Sequence, residues 1–172
     1  MLIKGLAVGL IVFSTGMMGM LIAQSFAHQV QNLRQLITFI QVLESEIQFA
    51  RTTLPDVILA QAKQCSGDVG TFLGILSTTL QAGTGEPLGV IWGKGLETLS
   101  ANGFPRAVLE DMRTLGDVLG TSDVSEQVKH LRVLLHRLEQ ALKLAEEQRD
   151  KQTRLWKYLG FSAGLLICLL LL

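Results

Sequence analysis

A metal centre, a nucleotide loop and an acid–base pair each need particular side chains at particular spacings, and the chain can be read for all three. Its histidines are His28, His130 and His136. On a helix the interval between His130 and His136 turns the two rings to different faces, so they read as solvated or interfacial rather than as joint metal ligands. Gly93-Lys94-Gly95 has the flavour of a phosphate-binding loop, but Leu88 stands where the first glycine is needed. No Ser or Thr directly follows Lys94 to meet a magnesium ion. Gly83-Thr84-Gly85 lacks the downstream spacing of a dinucleotide-binding turn, and no strand precedes it; it reads as a plain turn. Glu44, Glu46, Glu139, Glu146 and Glu147 fall among Lys and Arg, as solvated helix surface does. No base stands assembled beside a serine nucleophile. The expectation is therefore no enzyme, with no catalytic residue, metal, cofactor or small-molecule substrate. Lys and Arg balance Asp and Glu to a net charge of zero. With no basic stripe, nucleic acid is not an expected partner. Cys65 and Cys168 are the two cysteines and are not expected to meet, so no disulfide framework is predicted.

The elements that would carry any function are better marked. Apolar residues make up 48% of the chain and charged residues 17%, below the quarter usual for soluble domains. The deficit sits at the two ends. Leu6 to Ala23 carries no charge, and Gly5 to Phe26, at about 1.5 Å per residue, spans the roughly 30 Å hydrocarbon layer. Leu159 to Leu172 is also uncharged and ends on LLICLLLL, with Trp156 and Tyr158 before it where amphipathic rings anchor. Ser25-Phe26-Ala27 places small residues as a signal peptidase requires. The n-region offers only Lys4, however, and the helical pattern continues through the cut, so the segment reads as a retained span. The predicted division is a transmembrane helix at 1–27, a helical bundle domain at 28–154 and a second transmembrane helix at 155–172.

The middle reads as all helix. Leu33, Leu36, Ile40, Leu43, Ile47 and Ala50 form one packing seam. Leu54-Pro55-Asp56 starts a short helix toward Lys63. Val69, Phe72, Leu73, Leu76 and Leu80 mark a third helix, closed by Gly83 and Gly85. Pro87 opens a fourth, Asn102-Gly103 stops it, and Pro105 opens a fifth carrying Val108, Leu109, Met112 and Leu115. Gly116 to Asp123 reads as the next connection, and Asp123 with Glu126 resembles a capping pair. Val128, Leu131, Leu135, Leu138, Leu142 and Ala145 form a second seam that passes without a stop into Trp156. The fold class is all-α: an antiparallel bundle of about six helices flanked by N- and C-terminal transmembrane helices.

Gly5, Gly9, Gly16 and Ala23 share a helical arc of about 40°, and Gly160, Gly164 and Cys168 form a similar smooth face on the second span. Such faces let helix backbones approach closely, and they are the expected sites of membrane helix packing. Gly116, Asp117, Gly120, Ser122 and Asp123 are candidate partner contacts, together with the polar outer face of the last helix. Lys143, Arg149, Lys151, Arg154 and Lys157 precede the second span and nothing basic follows it, which predicts a cytoplasmic bundle with both termini across the membrane.

The stretch LGDVLGTSD from Leu115 to Asp123, the helix VSEQVKHLRVLLHRLEQAL from Val124 and the ending LWKYLGFSAGLLICLLLL from Leu155 resemble the stage III sporulation protein AB family. The resemblance covers the whole chain. It implies a non-enzymatic platform or adaptor in a secretion-like channel between mother cell and forespore of endospore formers, in the mother-cell membrane. It further implies a middle domain similar to the cytoplasmic domain of the type II secretion and type IV pilus platform protein. The partners it implies are the stage III sporulation AA ATPase and the AC, AD and AE proteins, while the two spans themselves make membrane lipid an expected partner. A membrane-tethered sensor acting through a separate transducer is the alternative.

Overall fold

A computed structural model describes the backbone of residues 2–49, 52–83, 85–119 and 121–171, and the side chains of 25–49, 52–83, 85–119, 121–156 and 158. Among the described residues the chain is six helices and no strand: α1 (Leu2–Phe49), α2 (Leu54–Gln64), α3 (Gly67–Gln81), α4 (Leu88–Ala101), α5 (Arg106–Val118) and α6 (Val124–Leu171). Both long helices run unbroken, as the helical pattern continuing through Ser25-Phe26-Ala27 and the second seam passing into Trp156 predict. The small-residue faces at Gly5, Gly9, Gly16, Ala23, Gly160, Gly164 and Cys168 lie outside the residues whose side chains are described. Among the described residues no helix is long and apolar enough to cross a membrane.

The chain divides into two compact units. Met1–Val30 and Lys143–Leu172 form one, and Gln31–Leu142 forms the other, so α1 and α6 each contribute to both.

Within the second unit, helix starts and stops follow local chemistry. Thr53 caps α2 with extended backbone, Pro55 and Asp56 occupy its first turn, and Lys63 its last, matching the helix dipole at both ends. α4 and α5 begin directly after Pro87 and Pro105. Asn102-Gly103 ends α4 through a left-handed Gly103 (φ 80°). Gly103 N–H donates to Ser100 O and Phe104 N–H to Leu99 O, both at 3.3 Å, while the buried Phe104 and Leu99 side chains close the motif.

The core is built on Trp92, which is fully buried. Its ring meets Phe72 edge-on at 5.3 Å and lies tilted against Phe39 at 6.2 Å. Its Nε1–H donates to Met112 O at 2.8 Å, which satisfies the indole's only donor. Leu33, Leu36, Phe39, Ile40 and Leu43 supply the buried face of α1. Ile47 of the predicted seam is only half-buried, and Ala50 lies outside the described residues. On α6 the buried set is Leu131, Leu134, Leu138 and Ala145, with Val128, Leu135 and Leu142 half-buried at its edge. The helix thus presents a broad arc centred toward Leu134 rather than a narrow seam through Leu135, as a helix packed against more than one neighbour does. Arg132 Nε donates to Glu44 Oε1 of α1 at 2.7 Å, and Arg137 pairs with Asp111 of α5. These exposed arginines add little stability but fix which neighbours α6 meets.

α5 extends through Val118, three residues into the segment expected as a connection. Gly116, expected in that connection, is buried inside this helix. A Cβ there would lie 2.5 Å from Trp92 Cδ1. Tertiary packing against the indole therefore outweighs glycine's weak helix propensity.

A polar clasp holds the start of α3. Asn32 of α1 donates to Asp68 Oδ2 at 2.6 Å, and Asn102 donates to Oδ1 at 2.9 Å, so one carboxylate joins three helical segments. One turn along α1, Gln35 Oε1 accepts Ser66 N–H at 3.0 Å.

Candidate interaction surface

α4 and α5 meet closely where Gly116 faces Trp92, and residues of both helices line a groove of about 700 Å³. Leu88, Gly89, Val90 and Gly93 of α4 line one side; Gly116, Asp117, Leu119 and Thr121 line the other. A smaller recess of about 220 Å³ continues along the same two helices past Leu96, Leu109, Arg106 and Glu110. Glu97 and Arg113 border both.

Glycine keeps the groove clear. A Cβ at Gly93 would meet nothing within 4 Å, so that position opens onto free space. At Gly89 a Cβ would come within 2.8 Å of Asp117 Oδ1. The Asp117 carboxylate is thereby admitted against the first turn of α4, where the positive end of the helix dipole favours it. Along the rim, Lys94 Nζ pairs with both oxygens of Glu86 at 2.7 and 2.8 Å. Val90, 49% exposed, leaves an apolar edge beside these charges. An apolar floor with a few fixed charges at the rim is the composition of a protein-binding groove.

The candidate contacts named from sequence separate by role. Gly116 and Asp117 line the groove. Ser122 Oγ donates to Val118 O at 3.1 Å and Ser122 O accepts from Gln127 at 2.8 Å, so this residue stitches the turn between α5 and α6. Asp123 Oδ1 accepts Glu126 N–H at 3.0 Å and Oδ2 accepts from Ser125 at 2.8 Å, which makes it the N-cap of α6. Gly120 lies outside the described residues. The α4 half of the groove was not singled out from sequence as a contact surface. The available signal was the spacing of Gly89 and Gly93 one turn apart, which clears one face of an otherwise apolar helix.

The bonds from Ser125 and then Glu126 hold the Asp123 carboxyl below its ordinary value. A depressed folded value means that the cap contributes above the ordinary aspartate range and is lost as the pH falls through the folded one. Wild type and Asp123→Ala should therefore differ in thermal midpoint at neutral pH and converge on acidification below that range, as followed by far-UV circular dichroism.

The residues considered for chemistry take structural places. Gly93-Lys94-Gly95 lies inside α4, with Gly95 packed on Phe72 and Lys94 held by Glu86. Gly83 and Gly85 both adopt positive φ, as turn residues do. His28 and His136 are exposed and His130 half-buried; Gln140 Nε2 and His136 Nε2 lie 2.9 Å apart. Cys65 is free, and burial pushes its thiol up, which weakens it as a nucleophile. Among the described residues no group of three or more His, Cys, Asp or Glu is placed to hold a metal ion.

The family model described as stage III sporulation protein AB matches residues 4–172. The chain is 31% identical, over 175 residues, to the stage III sporulation protein AB of Bacillus subtilis (strain 168), covering 99% of this chain and 100% of that protein. A solved structure of a stage III sporulation protein AB aligns with a TM-score of 0.63 at 27% identity, over 70% of this chain and 94% of that one.

Proposed function

This chain belongs to the stage III sporulation protein AB family, and from that premise we propose that it is a non-enzymatic platform of a secretion-like sporulation channel, tethered by two spans in the mother-cell membrane. The observation that carries the reading is the continuity of α6, which leaves the bundle and runs without a break into the apolar C-terminal stretch. A helix shared between a partner-binding bundle and a bilayer segment couples the two mechanically, which is what a platform must do. α1 has the same continuity at the other end of the chain. The bundle faces the cytoplasm, where the groove between α4 and α5 receives the stage III sporulation AA ATPase. The small-residue faces of the two spans pack against each other or against the AC, AD and AE membrane proteins.

Topology is the first test. Single cysteines at the exposed positions Ser66 and Ser100, with Cys65 and Cys168 replaced, should resist an impermeant maleimide in intact sporulating cells and react after lysis. Labelling before lysis would place the bundle outside the cytoplasm and remove the ATPase as its partner.

The groove is tested separately. Gly93→Leu fills it without touching the core, because a side chain at that position meets open space. Gly74→Leu on α3 is the matched control, with equally open surroundings. Both variants should fold, with stability unchanged or raised by up to about 1 kcal/mol from better helix propensity. Only Gly93→Leu should lose co-purification with the co-expressed AA ATPase; retention by both variants would reject the groove as its contact. The groove's volume also falls within the range of small-molecule sites, which is the observation favouring the tethered-sensor alternative. A metabolite that raised the unfolding midpoint of the wild type but not of Gly93→Leu would favour that alternative.

A further inference from the structure

The last described turns of α6, whose charge and rings bear on topology, also gather those residues on one side of the helix. Lys151, Arg154, Leu155 and Tyr158 are all exposed, Leu155 to 54% and Tyr158 to 73%. At about 100° per residue they fall within an arc of about 100° on one side of the helix. Arg149, by contrast, is half-buried and spends its guanidinium on Asp150 at 2.9 Å. Among the described residues no acidic side chain pairs with Lys151 or Arg154. Glu147 shares the arc but stands a turn nearer the bundle, and Lys157 adds a further positive charge in the sequence just beyond.

Two cations on the same strip as an exposed leucine and an exposed tyrosine make poor protein surface but fit one environment well. A phenol ring settles at the depth of lipid headgroups, leucine at the acyl boundary, and neighbouring Lys and Arg at the phosphate layer. We propose that this strip of α6 is a binding site for anionic phospholipid headgroups, which selects acidic lipid around the protein. The proposal rests on the reading that α6 enters the bilayer after Tyr158, and it adds a lipid preference that spanning alone does not require. Charge complementarity supplies that preference. A negative headgroup meets unpaired positive charge, whereas a zwitterionic one brings a choline or amine that the same residues repel.

The test uses the full-length protein reconstituted into bilayers of phosphatidylcholine mixed with phosphatidylglycerol. Insertion is scored by resistance to alkaline carbonate. Lipid preference is scored by electron paramagnetic resonance of spin-labelled phosphatidylglycerol against spin-labelled phosphatidylcholine. The expected result is a preference for phosphatidylglycerol of about fivefold or more, the factor expected of one unscreened basic residue at the membrane surface. It should fall toward unity in 0.5 M salt (roughly 4 Å screening) and in the double variant Lys151→Gln/Arg154→Gln. An inserted wild type with no preference, or a preference unchanged in the double variant, overturns the proposal while leaving the spans standing. Extraction by carbonate overturns the span reading and this proposal with it.

Discussion

Replacing Trp92 with alanine should cost the bundle about 3–5 kcal/mol, a large share of the stability an ordinary domain possesses. Three separate losses combine at this one position. The fully buried indole leaves a cavity enclosed by Phe39, Phe72 and α5. Its edge-on contact with Phe72 disappears, and so does the hydrogen bond from Nε1 to the Met112 carbonyl. Trp92→Phe separates these terms. It keeps an aromatic ring in the site while removing the donor, and should lose only about 1–2 kcal/mol. Urea unfolding of the full chain, followed by far-UV circular dichroism, gives both values. If the alanine variant unfolded within about 1 kcal/mol of wild type, Trp92 would not be the centre of this core.

The second large effect reverses an ordinary expectation. Gly→Ala inside a helix usually stabilises by up to about 1 kcal/mol. At Gly116 it should instead destabilise by about 1–3 kcal/mol, because the new methyl would stand 2.5 Å from Trp92 Cδ1 and within 3.0 Å of Trp92 Cβ. The indole cannot simply swing aside, since Met112, Phe72 and Phe39 hold it. A double-mutant cycle with Trp92→Ala, which removes both Cγ and Cδ1, isolates the clash. Alanine at position 116 should be nearly neutral once the ring is gone, giving a favourable coupling of about 1–3 kcal/mol. Strict additivity would show that Gly116 is chosen for something other than the indole.

These two residues also mark where sequence reasoning stops. Helix boundaries were legible because their causes are local: Pro55, Pro87 and Pro105 at starts, the positive-φ Gly103 at a stop, Asp123 as a cap. Gly116 was misleading because glycine's helix-breaking tendency is local, whereas the indole that requires its bare backbone comes from α4. The displacement of the buried face of α6 toward Leu134 has the same origin, since spacing fixes the width of an apolar face but not which neighbours share it. The groove was half legible. Gly116 and Asp117 fell in a segment suspected of partner contact, but Gly89 and Gly93 acquire meaning only when α5 lies beside them. Gly93-Lys94-Gly95 drew attention as possible chemistry; its glycines turned out to serve the groove and the Phe72 contact.

The chain's two tryptophans happen to be divided between its two compact units, Trp92 in the one built from 31–142 and Trp156 in the other. Trp92 is fully enclosed and hydrogen-bonded to a carbonyl, while Trp156 is partly exposed. Their emission should therefore differ in colour, with the enclosed indole at shorter wavelength and out of reach of aqueous iodide. A single unmodified sample thus carries a separate optical reporter for each unit. Quenching and spectral shift can show whether melting of one unit precedes the other, with no label attached to either.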